Sequence, residues 1–223
     1  MKIYGTFAHL ARFVYRIFKS YTIEGDIPSD TPSIFVVHHQ NMSGPVHALL
    51  TLPIETHIWV YKVFFDRKEC YNQYVNYTFT KRFGMPRLLA VCLAWIISLA
   101  VPFAIGSFAA IPVHRSSRDI VKTFKMSHDA LISGESIIIS PDIEYDDDSN
   151  AMGEIYTGFF HLEKNYFKAT GKHLAFVPIL YNTKKRTLFI EKPIMFDDST
   201  PYNEQKTQVA IRIRDAINNI SKK

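Results

Sequence analysis

Two adjacent histidines, His38 and His39, follow the apolar, β-branched run Ser33-Ile34-Phe35-Val36-Val37 and precede Gln40-Asn41. A histidine titrates near neutral pH and can take a proton from a hydroxyl. Transfer of an acyl group from a thioester to an alcohol needs such a base. A second group is Arg115, directly after Ile111-Pro112-Val113-His114, with Arg118 three residues further on. The planar fork of a guanidinium suits phosphate. The third is Pro141-Asp142-Ile143-Glu144, after Ile137-Ile138-Ile139-Ser140. Carboxylates there can orient a histidine, hold a glycerol hydroxyl or bind a metal. The fourth, Phe176-Val177-Pro178-Ile179-Leu180, is an apolar run with a proline. Taken singly, each group has an ordinary structural reading: a strand cap, a surface arginine, a solvated acidic loop, a buried strand. The run Asp146-Asp147-Asp148 lacks the alternating ligands, central glycine and closing glutamate of a calcium loop, and reads as solvated.

These groups sit at the ends of short apolar segments, where strands of α/β sheets present ligand sites. Strands are expected over 33–37, 56–61, 111–113, 136–140, 174–180 and 187–190, the last after the basic turn Lys184-Lys185-Arg186. Helices are expected over 2–20, 46–52, 66–80, 117–133, 152–170 and 202–221. The alternation predicts a single α/β domain over 1–223, a mixed central sheet flanked by helices. In the first helix, Ile3, Phe7, Leu10, Val14, Ile17 and Tyr21 share a face, with Arg12, Arg16 and Lys19 on the polar side. Residues 1–21 therefore read as an amphipathic helix that packs on the core or lies in a membrane interface.

Leu88 to Val113 carries no charged residue, which raises the question of a transmembrane span. Pro102 and Gly106 interrupt the run, and a helix from Pro86 to Val101 would be about 24 Å long at ~1.5 Å per residue. A bilayer core needs about 30 Å. The apolar segment 86–107 is accordingly expected to be a buried or re-entrant, membrane-associated helix rather than a full span.

The chain has 223 residues, 47% of them hydrophobic and 21% charged, enough for one sizeable core. Its 17 Phe and 12 Tyr can fill that core, line an acyl pocket or sit at a membrane interface. A net charge of +5 favours anionic partners, yet no Lys/Arg block is long enough to point to nucleic acid. Cys70 and Cys92 have no metal-ligand spacing, and nothing requires an oxidising compartment. Lys2, Arg12, Arg16 and Lys19 break up the N-terminal segment and argue against an export signal.

Order and spacing join the four groups. The sequence resembles the glycerolipid (lysophospholipid, or 1-acylglycerol-3-phosphate) acyltransferase family, whose members carry four ordered blocks. Val36-Val37-His38-His39-Gln40-Asn41-Met42-Ser43-Gly44 occupies the place of the family's Asn-His-x-x-x-x-Asp. Ala110-Ile111-Pro112-Val113-His114-Arg115 fits the second block, a short strand plus arginine. Ser140-Pro141-Asp142-Ile143-Glu144 fits the first part of Phe-Pro-Glu-Gly-Thr-Arg, and Val177-Pro178-Ile179 matches the Val-Pro strand of the fourth. Gly153 to Phe159 is similar to the segment between the last two, so the resemblance spans residues 20–196. The departures are Gly44 where the family has its aspartate, His38 where it has asparagine, and the missing Gly-Thr-Arg.

The resemblance implies a membrane-associated O-acyltransferase on the cytoplasmic face of a membrane, peripheral or monotopic. It would move an acyl group from acyl-CoA or acyl-carrier protein to a hydroxyl of a lysophospholipid-like acceptor. No metal or bound organic cofactor is required, and no nucleic acid is involved. The catalytic set implied is His39 as general base with Asp142 or Glu144 supplying the displaced carboxylate. His38, Gln40, Asn41, Arg115 and Arg118 form the expected substrate-binding set, Arg115 on the acceptor's phosphate or other anion. A histidine working without a carboxylate, or a scaffold that binds lipid without catalysis, are the alternatives that Gly44 leaves open.

Overall fold

The computed structural model describes residues 3–28, 31–114, 116, 118–143 and 151–222. Seven strands form one mixed sheet in the order β1-β7-β6-β2-β5-β3-β4. These are β1 (Thr22–Glu24), β2 (Ser33–Val37), β3 (Thr56–Tyr61), β4 (Ile111–Val113), β5 (Ser136–Ile139), β6 (Ala175–Asn182) and β7 (Thr187–Ile190). All neighbouring pairs are parallel except β6 and β7, which the turn at 183–186 joins as an antiparallel hairpin. β1 was not anticipated: its three exposed residues carry no burial signal, and pairing with β7 alone makes it a strand.

β2 lies between β5 and β6, and all five of its residues are buried. A strand covered on both faces reads as a continuous apolar run. Alternation divides it between two cores. Ile34 and Val36 join Ile137, Ile139 and Phe176 under α5 (Ile120–Ile132), α6 (His161–Thr170) and α7 (Tyr202–Ser221). Phe35 and Val37 join Ile138, Val177 and Ile179 on the opposite face, under α1 (Thr6–Phe18) and α2 (Ser43–Thr51). α6 is shorter than the expected 152–170, because Thr157–Phe160 forms a separate 3-10 turn that buries Phe159 and Phe160.

The connection from β3 to its parallel neighbour β4 is a long helical hairpin. Its first arm is α3 (Arg67–Gln73), continued by a π-helical segment, Tyr74–Arg82. The second arm is α4 (Arg87–Ser107). Val75 and Phe79 of the first arm pack on Ala90 and Ala94 of the second in a small core of their own. The expected break before Pro102 does not occur. The helix runs through that proline for 21 residues, about 31 Å at ~1.5 Å per residue. Pro102 removes one backbone donor without ending the helix.

α1 is tied down at its first turn. The Glu55 carboxylate accepts the N–H groups of Ile3 at 2.6 Å and Tyr4 at 3.0 Å. Ser107, at the end of α4, accepts the Gly5 N–H on its carbonyl at 2.8 Å and the Ala8 N–H on its hydroxyl at 2.9 Å. α1 thus lies against the end of α4, and the rings of Phe7 and Phe103 meet edge to face at 5.4 Å.

Candidate active site

β2 and β5 are parallel neighbours with Val36 opposite Ile139, so the residues beyond both strands emerge at one end of the sheet. That register carries His38-His39 to Asp142. His38 is buried, and its Nδ1 meets Asp142 Oδ1. The other oxygen, Oδ2, accepts the backbone N–H of His39 at 3.0 Å. The loop that carries Asp142 is itself pinned, since Tyr156 N–H donates to the Pro141 carbonyl at 2.7 Å and Ile143 N–H to that of Glu154 at 3.2 Å.

His39 is half-buried. Its Nδ1 accepts the Met42 N–H at 3.2 Å, closing a tight loop. A ring nitrogen that accepts places the proton of a neutral imidazole on the other nitrogen. Between the two groups run Gln40, Asn41 and Met42, three consecutive non-glycine residues at φ 42°, 52° and 77°. Left-handed backbone costs on the order of 1–2 kcal/mol per residue outside glycine, with asparagine the most tolerant of the three. Strain of this kind collects where surrounding contacts over-determine a functional loop. One such contact is Arg82, whose guanidinium donates from Nη2 to Asn41 Oδ1.

Gly44 follows this loop at the start of α2. A Cβ on Gly44 would stand 1.9 Å from the His38 carbonyl oxygen. The α2 backbone approaches the end of β2 so closely that no side chain fits. The position at which the resembled family carries aspartate is therefore closed to any carboxylate here. In this chain a carboxylate reaches the histidine pair from β5 instead. His47, one turn along α2, bonds the Ser43 carbonyl through Nδ1 at 2.7 Å and stacks on Tyr181 at 4.3 Å, which fixes the helix against β6.

The structure brings His38, His39, Asn41 and Asp142 together, with Gln40 on the same loop. His38, expected among substrate-binding groups, is enclosed with Asp142. Arg118 is exposed on the turn before α5. Arg115 and Glu144 lie outside the described residues, as does the acidic run 146–148. Among the described residues no group of three His, Cys, Asp or Glu side chains could hold a metal. Arg82 escaped the sequence reading because it ends a polar-aromatic helix, 41 residues from Asn41, and matches no motif.

The arrangement gathers two histidines and an aspartate at the carboxyl end of neighbouring strands in a mixed α/β sheet. The whole fold is similar to that of the 1-acyl-sn-glycerophosphate (LPA) acyltransferase PlsC from Thermotoga maritima. The TM-score is 0.57 at 11% identity, covering 97% of this chain and 78% of that one. At that identity the likeness is one of fold. No protein-family model and no curated protein sequence matches the chain.

Proposed function

We propose that this protein is an O-acyltransferase that works at a membrane surface. It moves an acyl group from acyl-CoA or acyl-carrier protein to the hydroxyl of a lysophospholipid-like acceptor. The observation that carries this reading is the histidine pair held by Asp142 at the carboxyl end of β2 and β5, in a fold similar to that of PlsC. His39 is the base, because its ring is the more exposed of the two. It takes the proton of the acceptor hydroxyl as the oxygen attacks the thioester carbonyl carbon. The carbon–sulfur bond breaks, and the proton passes to the departing thiolate. The Met42 N–H, 3.2 Å from Nδ1, holds the ring in its orientation until the acceptor hydroxyl takes its place there and delivers its proton. Asp142 is a positioning residue, holding His39 by its backbone and His38 by its ring. Arg115 holds the acceptor's phosphate.

Two helices support a membrane surface as the place of work. α1 exposes Leu10, Phe13, Ile17 and Phe18, and α4 exposes Leu88, Trp95, Ile96 and Phe103. Exposed apolar area of this extent marks an interaction surface. α4 is long and apolar enough to cross a bilayer, with mean hydropathy 2.6. Its flank argues for lying in the interface instead. Asp66, Arg67 and Lys68 line a shallow pocket of about 410 Å³ together with Trp95 and Ser98, near the middle of α4. A span would carry those charges to the bilayer centre, at about 2.5–3.5 kcal/mol each. Lying flat, α4 keeps them at the headgroups. The membrane-facing surface is cytoplasmic in this reading.

The test is turnover: acceptor-dependent release of CoA by the purified chain from a long-chain acyl-CoA with a panel of lysophospholipids. Gly44 in the aspartate position favours a second reading, a lipid-binding protein without catalysis. Lipid binding with no acyl transfer to any acceptor, from either acyl-CoA or acyl-carrier protein, would establish that second reading and sink the first.

A further inference from the structure

From the Arg82–Asn41 contact we infer that Arg82 is a positioning residue for the catalytic loop, acting through Asn41, so that the helical hairpin sets the geometry of His39. The inference rests on the function proposed above for the His39 site. The Gln40–Asn41–Met42 turn has left-handed backbone at all three residues, and Asn41 is its centre. Its intrinsic preference is to relax out of that region. Met42 N–H on His39 Nδ1 at 3.2 Å and Arg82 on the Asn41 side chain hold it there. The first is internal to the loop and long for a hydrogen bond. The second comes from a different element and is charge-assisted, the stronger kind.

Arg82 is well anchored for this role. It is the last residue of the π-helical segment, whose Val75 and Phe79 are buried against α4. The chain is closed behind it by Phe83 N–H to the Thr78 carbonyl at 3.1 Å and Met85 N–H to that of Phe79 at 2.8 Å. Its guanidinium lies over the Phe83 ring at 5.7 Å. The arm that reaches the loop is thus the partner helix of α4, which bears the exposed apolar surface. Loss of the Arg82 contact frees Asn41, and with it the Met42 amide that occupies His39 Nδ1. The orientation of the ring then becomes loose, while the binding surfaces for donor and acceptor stay in place.

The experiment compares wild type, Arg82→Ala, Arg82→Lys, Asn41→Ala and the Arg82→Ala/Asn41→Ala double variant, all as the full chain. Initial rates use a long-chain acyl-CoA and a lysophosphatidate, and amide hydrogen exchange is followed at Met42. Arg82→Ala is expected to lower kcat about 10²-fold, the scale of a small misplacement of a catalytic group, with KM changed by less than about twofold. Arg82→Lys keeps a cation within reach of Asn41 and recovers roughly tenfold of the loss. The double variant is no slower than the worse single one, since both act through one contact. Met42 exchanges faster in all variants than in wild type. Additive losses, a rise in KM alone, or unchanged Met42 exchange would overturn the assignment. Should Arg82→Ala not fold, Arg82→Lys and Asn41→Ala make the same comparison. If wild type transfers no acyl group from acyl-CoA or from acyl-carrier protein, the proposed function fails and the exchange at Met42 alone decides the role of Arg82.

Discussion

Asp142 and His38 form an enclosed pair, with side chains 3% and 2% exposed, just beyond the ends of neighbouring parallel strands. The second carboxylate oxygen reaches the next residue's backbone at 3.0 Å, so one acid orients two consecutive histidines. Replacing Asp142 with alanine strips buried donors of their acceptor, at a cost of about 2 kcal/mol. Denaturant unfolding should show that loss. Turnover should fall by about 10²-fold, through misplacement of His39 rather than removal of a reacting group. His39→Ala should abolish acyl transfer and leave the unfolding midpoint close to wild type, because its side chain is half-buried on a loop. A His39→Ala variant with full activity would refute the mechanism.

Restoring the aspartate of the resembled family should do harm. A side chain at Gly44 would begin 1.9 Å from the His38 carbonyl oxygen, a contact that backbone on both sides prevents from relaxing. Gly44→Ala is expected to destabilise by about 2–3 kcal/mol, in the range of overpacking, and Gly44→Asp by more. Both should be less active than wild type. Improved turnover in Gly44→Asp would mean that Asp142 is not the functional replacement.

The anchorage of α1 should weaken in acid. Burial alone would raise the pKa of Glu55, but the Tyr4 and Ile3 N–H groups, with His9 at 3.6 Å, hold it below the ordinary glutamate value. A carboxylate with a depressed folded pKa contributes stability above its unfolded value of 4.5, and that contribution fades as pH falls through the folded value. Hydrogen exchange at Ile3 and Tyr4 should therefore accelerate as pH drops below about 4.5, after correction for intrinsic rates. Glu55→Gln should show fast exchange already at neutral pH. An unchanged profile in that variant would show that Ser107 alone secures the helix.

Membrane attachment should be interfacial. Wild type is expected to float with vesicles containing anionic lipid and to be largely released by high salt or carbonate, as a surface-bound helix pair would be. Leu88→Glu/Phe103→Glu should abolish flotation while a short-chain, water-soluble acceptor is still acylated. Resistance to carbonate extraction would instead identify α4 as a span.

Much of the scaffold was legible because its strands carry complete local signals. β2, β3 and β7 run over the residues expected, each rich in β-branched or aromatic residues, and α7 spans its expected range. Where pattern was weak, context decided. β1 exists only through its pairing with β7. The proline rule shortened α4 on paper, yet one missing donor does not outweigh the turns on either side of Pro102. The site was half legible. The strand ends marked His39 and Asp142, but their meeting is a property of sheet order, and no spacing in the sequence encodes it. Arg82 was invisible for the same reason. Gly44 looked like the loss of a carboxylate, when it is also the space that lets α2 close against β2.

The acid and the histidines it orients are separated by 103 and 104 positions in the chain. β3, the whole hairpin, β4 and α5 must be synthesised between them before β5 can pair with β2. Contacts of such long sequence separation must meet a loop-closure cost before they reward it, and they form slowly. The proposed site is thus expected to assemble late in folding. Recovery of activity after dilution from denaturant should lag behind the return of helical signal, and a nascent chain ending before Asp142 has the histidines without the carboxylate that aims them.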